Sequence, residues 1–347
     1  MNAPALPAAS PARRVLSATV KTALVGVLLY YLAQKGFLSW EEISGAYGDG
    51  LGWAVGGHVL LTSATILSIW RWQIVLRAQD IVLPFRRTLA LGFIGNFFNV
   101  ALPGAVTGDL VKAYYIGQDV EGRRARAFGA IFFDRVLGLA SLIIVVAGAQ
   151  VVGATLTGPP AVLEALRAFT VVLAVGTVGF FTYLFLVPEE RDLVLRVFAA
   201  LERRVHQVAA LREFYLGMRA YHHRPWAVLR AMVVSCGIHL VVGLASTSFA
   251  WAMGERQLMP LQVYASVPLA FLVTMIPVAP GGLGTGHAAF LFLVRLAGSE
   301  RGADVFTLFA LNGFLVGAVG GLVYLRFRGG AGRAPAAMEP TTTTTPS

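Results

Sequence analysis

The chain has 347 residues, of which 56% are hydrophobic and only 13% charged, where a soluble domain carries about 25% charged residues. Its mean hydropathy of +0.69 excludes an ordinary soluble enzyme and predicts an all-α, polytopic integral membrane protein. The net charge of +10 comes mostly from arginines between apolar runs, a positive-inside pattern and not a nucleic-acid surface, and the single Cys236 excludes a disulfide framework and a zinc quartet.

Residues 1–12 are rich in Ala and Pro and predicted disordered, and residues 13–328 form the expected membrane domain. Arg13, Arg14 and Lys21 precede the apolar run Ala23 to Ala33. No small-residue cleavage site follows it, so it reads as an anchored first span with a cytoplasmic N-terminus. An acidic loop with Glu41, Glu42 and Asp49 is expected outside. The span from Leu51 to Ile69 then returns to Arg71, Arg77, Arg86 and Arg87, with Trp70 and Trp72 expected in the interfacial belt.

The next stretch, GNFFNVALPGAVTGDLVKAYYI at residues 95–116, is an apolar segment broken at Pro103-Gly104 and restarted at Thr107-Gly108-Asp109. Proline lacks the amide hydrogen that a helix interior needs, and Thr is a good N-cap. Basic residues flank both ends, and each arm has about 15 residues against the ~20 needed to span. A re-entrant hairpin from the cytoplasmic side satisfies both facts.

Ala127 to Val152 is predicted to cross outward and Ala168 to Val187 to cross back, around a turn at Thr157-Gly158-Pro159-Pro160. Residues 189–224 carry many arginines, with Val194, Val197, Phe198, Leu201, Val205 and Val208 at helical spacing. This describes an amphipathic cytoplasmic helix, lying either on headgroups or docked on the protein. His206, His222 and His223 lack carboxylate or thiol partners at ligand spacing and read as solvated.

Trp226 to Trp251 covers ~38 Å as a helix, with tryptophans at both ends. The last span, Val305 to Leu325, runs into Arg326, Arg328 and Arg333, which places the C-terminus in the cytoplasm; residues 329–347 form a low-complexity tail. Between these spans lies TMIPVAPGGLGTGHAAFLFLV at 274–294, whose Pro280, Gly281, Gly282, Gly284, Thr285 and His287 repeat the earlier punctuation. Its flanks place both of its ends outside. About six full spans and two oppositely directed broken helices therefore form an inverted repeat, an arrangement that in transporters surrounds a central binding site. Ordinary interhelical loops are the alternative reading.

Asp134-Arg135 lie about seven residues, roughly 10 Å, into their span, too deep to be left unpaired. Asp109 and Lys112 share a helical face. The four are expected to form one network of zero net charge, serving either as a headgroup site or as architecture. Thr107 and Thr285 are predicted to cap inward-pointing helix N-termini, which with His287 make a candidate anion site. His58 and His239 read as satisfied core residues. The GLGTG run at 282–286 lacks the preceding strand of a dinucleotide fold, and with no HExxH or GxSxG motif the chain reads as a non-enzyme.

Arg71-Trp72, FFNVALPGAVTGDLVKAYYI, Asp134-Arg135 and PVAPGGLGTGH together resemble the transmembrane flippase region of lysylphosphatidylglycerol synthases and their stand-alone relatives. The resemblance spans about residues 15–328 and brings Asn99 into the candidate site. Three positions depart from the family pattern: Thr107 where Gly is usual, Lys112 for Arg and Asp134 for Glu. His287 stands where an acid is usual, which removes any role needing a carboxylate there. The resemblance implies a cell-membrane protein that moves or binds an anionic, glycosylated, aminoacylated or polyprenyl lipid. Its expected partners are membrane lipids, with no cofactor and no nucleic acid, and no aminoacyl-transferase domain is expected. A membrane-embedded transferase or accessory subunit of glycolipid synthesis, and a lipid-binding scaffold, are the alternatives.

Overall fold

The computed structural model describes residues 34, 40–101, 107–119, 124–202, 208–275 and 282–330. Among them the chain forms twelve α-helices: α1 Trp40–Ala46, α2 Leu51–Ala78, α3 Phe85–Ala101, α4 Thr107–Asp119, α5 Arg124–Val152, α6 Pro160–Leu186, α7 Leu193–Glu202, α8 Val208–Arg219, α9 Pro225–Ala252, α10 Pro260–Thr274, α11 Thr285–Leu296 and α12 Gly302–Gly330. The described residues contain no strand. Five stretches, Leu51–Arg77, Arg126–Val152, Pro160–Leu186, Pro225–Ala252 and Gly302–Arg326, are long and apolar enough to cross a bilayer. They coincide with five of the six predicted spans, and the sixth, Ala23 to Ala33, lies outside the described residues.

Two boundaries move. Helix α2 runs nine residues past Ile69, because Arg71 and Trp72 turn into the protein instead of marking its rim. Trp70 is exposed as an interfacial residue should be, whereas Trp72 is 3% exposed. The helix stops at Asp80, whose φ of 58° Asp tolerates better than most residues. Ile81 and Asp80 amides close back on the Leu76 and Arg77 carbonyls, a Schellman ending. Helix α6 starts eight residues before Ala168, with Pro160 at the first helical position, where its missing N–H costs nothing.

α2 and α9 lie antiparallel along most of their lengths. Trp53 and Trp251 meet edge to face at 4.7 Å at one end, and the Tyr221 hydroxyl donates to the Val75 carbonyl beside the other. Two hairpins of short helices are rooted at opposite ends of this pair. α3 and α4, 17 and 13 residues, begin and end at the α2 C-terminal side. α10 and α11, 15 and 12 residues, begin at the α9 C-terminal side and return to it, where the Thr157 amide donates to the Leu296 carbonyl at 2.6 Å. At 1.5 Å per residue none of the four exceeds ~26 Å, short of the ~30 Å hydrocarbon core. The inverted arrangement thus stands. The Pro103-Gly104 and Pro280-Gly281 breaks themselves lie outside the described residues.

Two hydrophobic cores divide the molecule. One gathers α5, α9, α10, α11 and α12 around Phe249, Phe290 and Phe306; the other packs α2, α5 and α9 around Trp72, Phe133 and Tyr221. The arginine-rich segment 189–224 is not one helix. α8 docks on α5, with Phe214 edge-on to Phe128 and Phe132. α7 leaves Leu193 and Val197 exposed. The docked reading thus describes α8, while α7 keeps an exposed apolar face. Asp192 locks the segment in place: it accepts from the Tyr183 and Tyr215 hydroxyls at 2.8 Å and from the Val194 and Leu195 amides, capping α7. Arg219 completes the clamp, pairing with Asp192 at 3.2 Å and donating to the Leu184 and Val187 carbonyls at the end of α6.

Candidate functional site

The polar centre of the described residues is an ionic cluster where the first turns of α4 meet α2 and α5. Arg71 has no carboxylate three or four residues away on α2, and Asp134 has no cation at that spacing on α5. Each must therefore pair across helices. Arg71 Nε and one terminal nitrogen donate to the two Asp134 oxygens, both at 2.8 Å, the two-pronged geometry that suits guanidinium and carboxylate. Its other nitrogen donates to the Ser235 hydroxyl on α9 at 2.5 Å, and Ser235 lies 2.6 Å from the Ser141 hydroxyl. Arg71 thus ties three spans together with its donors satisfied.

Beside this pair sits Asp109 on α4, 4% exposed. It accepts from Lys112 at 2.8 Å and from Arg135 at 2.7 Å. The Lys112 ammonium also lies 5.1 Å from the Trp72 ring centre, within cation–π range. Asn99 positions this hairpin: its side-chain oxygen accepts the Gly108 amide at 2.8 Å, filling one of the donors that a helix start leaves open. Arg135 differs from the other members, since 45% of its side chain is exposed.

The four-residue network predicted from the sequence is therefore two adjoining groups. Asp134 is taken by Arg71, which sequence reasoning left out of the site together with Ser235 and Ser141. The count becomes three cations against two carboxylates, one positive charge in excess instead of zero. The signal for Arg71 was available: a buried cation lacking a partner on its own helix, matched by a carboxylate in the same condition.

The second repeat is built differently. Thr285 does not cap α11. Gly284 does, at φ 85°, a left-handed conformation that glycine adopts freely, and the Thr285 hydroxyl donates back to the Gly282 carbonyl at 3.2 Å. His287 Nδ1 accepts the Gly284 amide, and its Nε2 lies 3.2 Å from the Thr307 hydroxyl. The ring is 1% exposed and edge-on to Phe306. Gly282, Gly284, Thr285 and His287 are thus brought together in a packed turn, away from the ionic cluster. Thr107 opens α4 on the other hairpin, and Pro103, Gly104, Pro280 and Gly281 lie outside the described residues. His239 donates to the Gly138 carbonyl at 3.0 Å, the satisfied core histidine expected. His58 is satisfied as well, between Tyr47 at 2.5 Å and Asn312 at 3.1 Å.

A cleft of about 570 Å³ opens along α4, lined by Phe98, Thr107, Tyr114, Tyr115, Gln118 and Tyr324. Its walls come from α3, α4 and α12, and they combine aromatic faces with polar tips, the composition of a site for an amphipathic ligand.

No curated protein and no solved structure matches the chain. A family model described as "Lysylphosphatidylglycerol synthase TM region" matches residues 18–321, and within that stretch lie both hairpins and all members of the ionic cluster. The chain belongs to the family of the lysylphosphatidylglycerol synthase TM region.

Proposed function

We propose that the protein moves an anionic, headgroup-bearing lipid between leaflets, with the ionic cluster as the station that receives the headgroup. The observation that carries this reading is the excess cation at depth. Asp109 and Asp134 neutralise two of three cations, while Arg135 keeps 45% of its side chain open. A charge inside a membrane protein is costly to keep and marks a substrate path by default. The adjoining aromatic cleft suits the glycerol and acyl portion, and guanidinium and ammonium groups suit a phosphodiester. The inverted hairpins give the arrangement by which transporters expose one site to two sides in turn.

The basic end of the bundle, with Arg77, Arg86 and Arg87, faces the cytoplasm in this reading. Cysteines replacing Asp80 and Gln118 are then protected from an impermeant thiol reagent in intact cells, while those replacing Arg256 and Glu300 react. Labelling of the first pair from outside reverses the orientation.

The functional test is leaflet exchange of labelled phosphatidylglycerol, its aminoacyl form and a polyprenyl phosphate in proteoliposomes. Exchange of at least one above empty liposomes is expected. If none exchanges, the translocation reading fails and a membrane-bound accessory role in lipid synthesis takes its place.

A further inference from the structure

The face of α2 between the two ends of the bundle carries His58, Thr62, Thr65, Ser68 and Trp72. Steps of four, three, three and four residues keep all five on one side of a 3.6-residue helix. Over 14 residues they span ~21 Å, about two-thirds of the hydrocarbon thickness. His58, Thr62, Thr65 and Ser68 are all intermediate in exposure, whereas Val59 and Ile66 on the neighbouring face are exposed as lipid-facing residues are.

Each end of this stripe is a polar station. At one end His58 and Thr62 meet Asn312 of α12, and the Tyr47 hydroxyl bonds the other ring nitrogen of His58. At the other, Trp72 lies under Lys112 of the ionic cluster. Trp72 is 3% exposed, yet its indole Nε1–H has no hydrogen-bond partner among the described residues. A buried indole donor left unpaired costs free energy unless a ligand or water fills it. Along the stripe Thr65 and Ser68 donate to their own helix at 3.0 and 2.8 Å, which leaves the lone pairs of their oxygens as acceptors. Such a lining offers water and donor-bearing headgroups a partner at each helical turn.

We infer that this stripe is a wetted polar track: it joins the ionic cluster to a second headgroup station at His58, Tyr47 and Asn312, and the Trp72 indole N–H binds a phosphate oxygen of the lipid at the start of the track. The inference rests on the translocation reading above and deepens it by assigning the route and the opposite-leaflet site.

The test uses the full chain in proteoliposomes in a Cys236→Ser background, with single cysteines at Thr62, Thr65, Ser68, Val59 and Ile66. A water-soluble thiol reagent needs a hydrated thiolate, so Thr62→Cys, Thr65→Cys and Ser68→Cys are expected to react and Val59→Cys and Ile66→Cys to stay protected. Equal reactivity of the two sets overturns the track, even if the wild type exchanges lipid. Selective reactivity with no lipid exchange supports the track and overturns translocation, so the two failures are distinct. For the indole, Trp72→Phe keeps a ring against Lys112 and removes one hydrogen bond, with about five- to tenfold weaker retention of phosphatidylglycerol in mild detergent expected. Unchanged retention, with wild-type melting, overturns the phosphate contact.

Discussion

Arg71 and Asp134 each give up water for the other, and that makes them interdependent. Removing one member of a buried ion pair strands the other and costs about 3–5 kcal/mol, whereas removing both costs far less. Arg71→Gln and Asp134→Asn should therefore each lower the melting temperature in detergent, and the double variant should recover part of the loss. Strict additivity would mean that the two charges do not sense each other. Asp192 supplies a second residue-scale prediction outside the spans. Burial works against its ionisation, but hydrogen bonds from Tyr215, Tyr183 and two backbone amides prevail and hold its carboxyl below the usual range. Its folded-state pKa is thus depressed. The stability it contributes is complete above the unfolded value of about 3.9 and disappears as pH falls through the folded value. Amide exchange in α7 and α8 should accelerate on acidification below about pH 4, and Asp192→Asn should bring that acceleration to neutral pH. A flat pH profile in the wild type would remove Asp192 from the role of clamp.

At the scale of elements, close backbone approach decides how the first hairpin is held. A Cβ at Gly108 would collide with the Gly95 carbonyl, so Gly108→Val should prise α4 from α3 and destabilise the protein by about 1–3 kcal/mol, the usual cost of overpacking. Wild-type melting would show that the two helices are not in contact there. The five long helices were legible in the sequence because apolar length alone marks a span. The two hairpins were legible from Pro-Gly punctuation and from the charges flanking them. The end of α2 was not, since Arg71 looks like a span boundary until Asp134 is seen opposite it. The cap of α11 was misassigned for a comparable reason: Thr is the better intrinsic cap, but the turn needs a positive φ that Gly284 supplies. In residues 189–224 the helical spacing of apolar residues recorded an amphipathic face without recording whether protein covers it: Val194, Val197 and Leu201 on α7 stay exposed.

For the whole molecule, two hairpins of opposite direction stand at the ends of an antiparallel α2–α9 pair, and their chemistry is unequal. The first brings Asp109 and Lys112 to Arg135, while the second closes around His287 in an apolar turn. Pseudo-symmetry was readable from the repeated motif, but this asymmetry arises from tertiary partners, Arg71 and Phe306 among them, that no local pattern announces. Of the two hairpins, only the first then contributes side chains to the ionic cluster that receives the headgroup. The most direct test is the rate of phosphatidylglycerol exchange in proteoliposomes for wild type, Arg135→Gln, Lys112→Gln and the lipid-facing control Val175→Ala, each at matched incorporation. Each charge-assisted hydrogen bond contributes roughly 1.5–3 kcal/mol, so the two cluster variants are predicted to slow exchange by about tenfold or more while Val175→Ala matches wild type. Wild-type exchange by both cluster variants would contradict the assignment of the ionic cluster as the headgroup site.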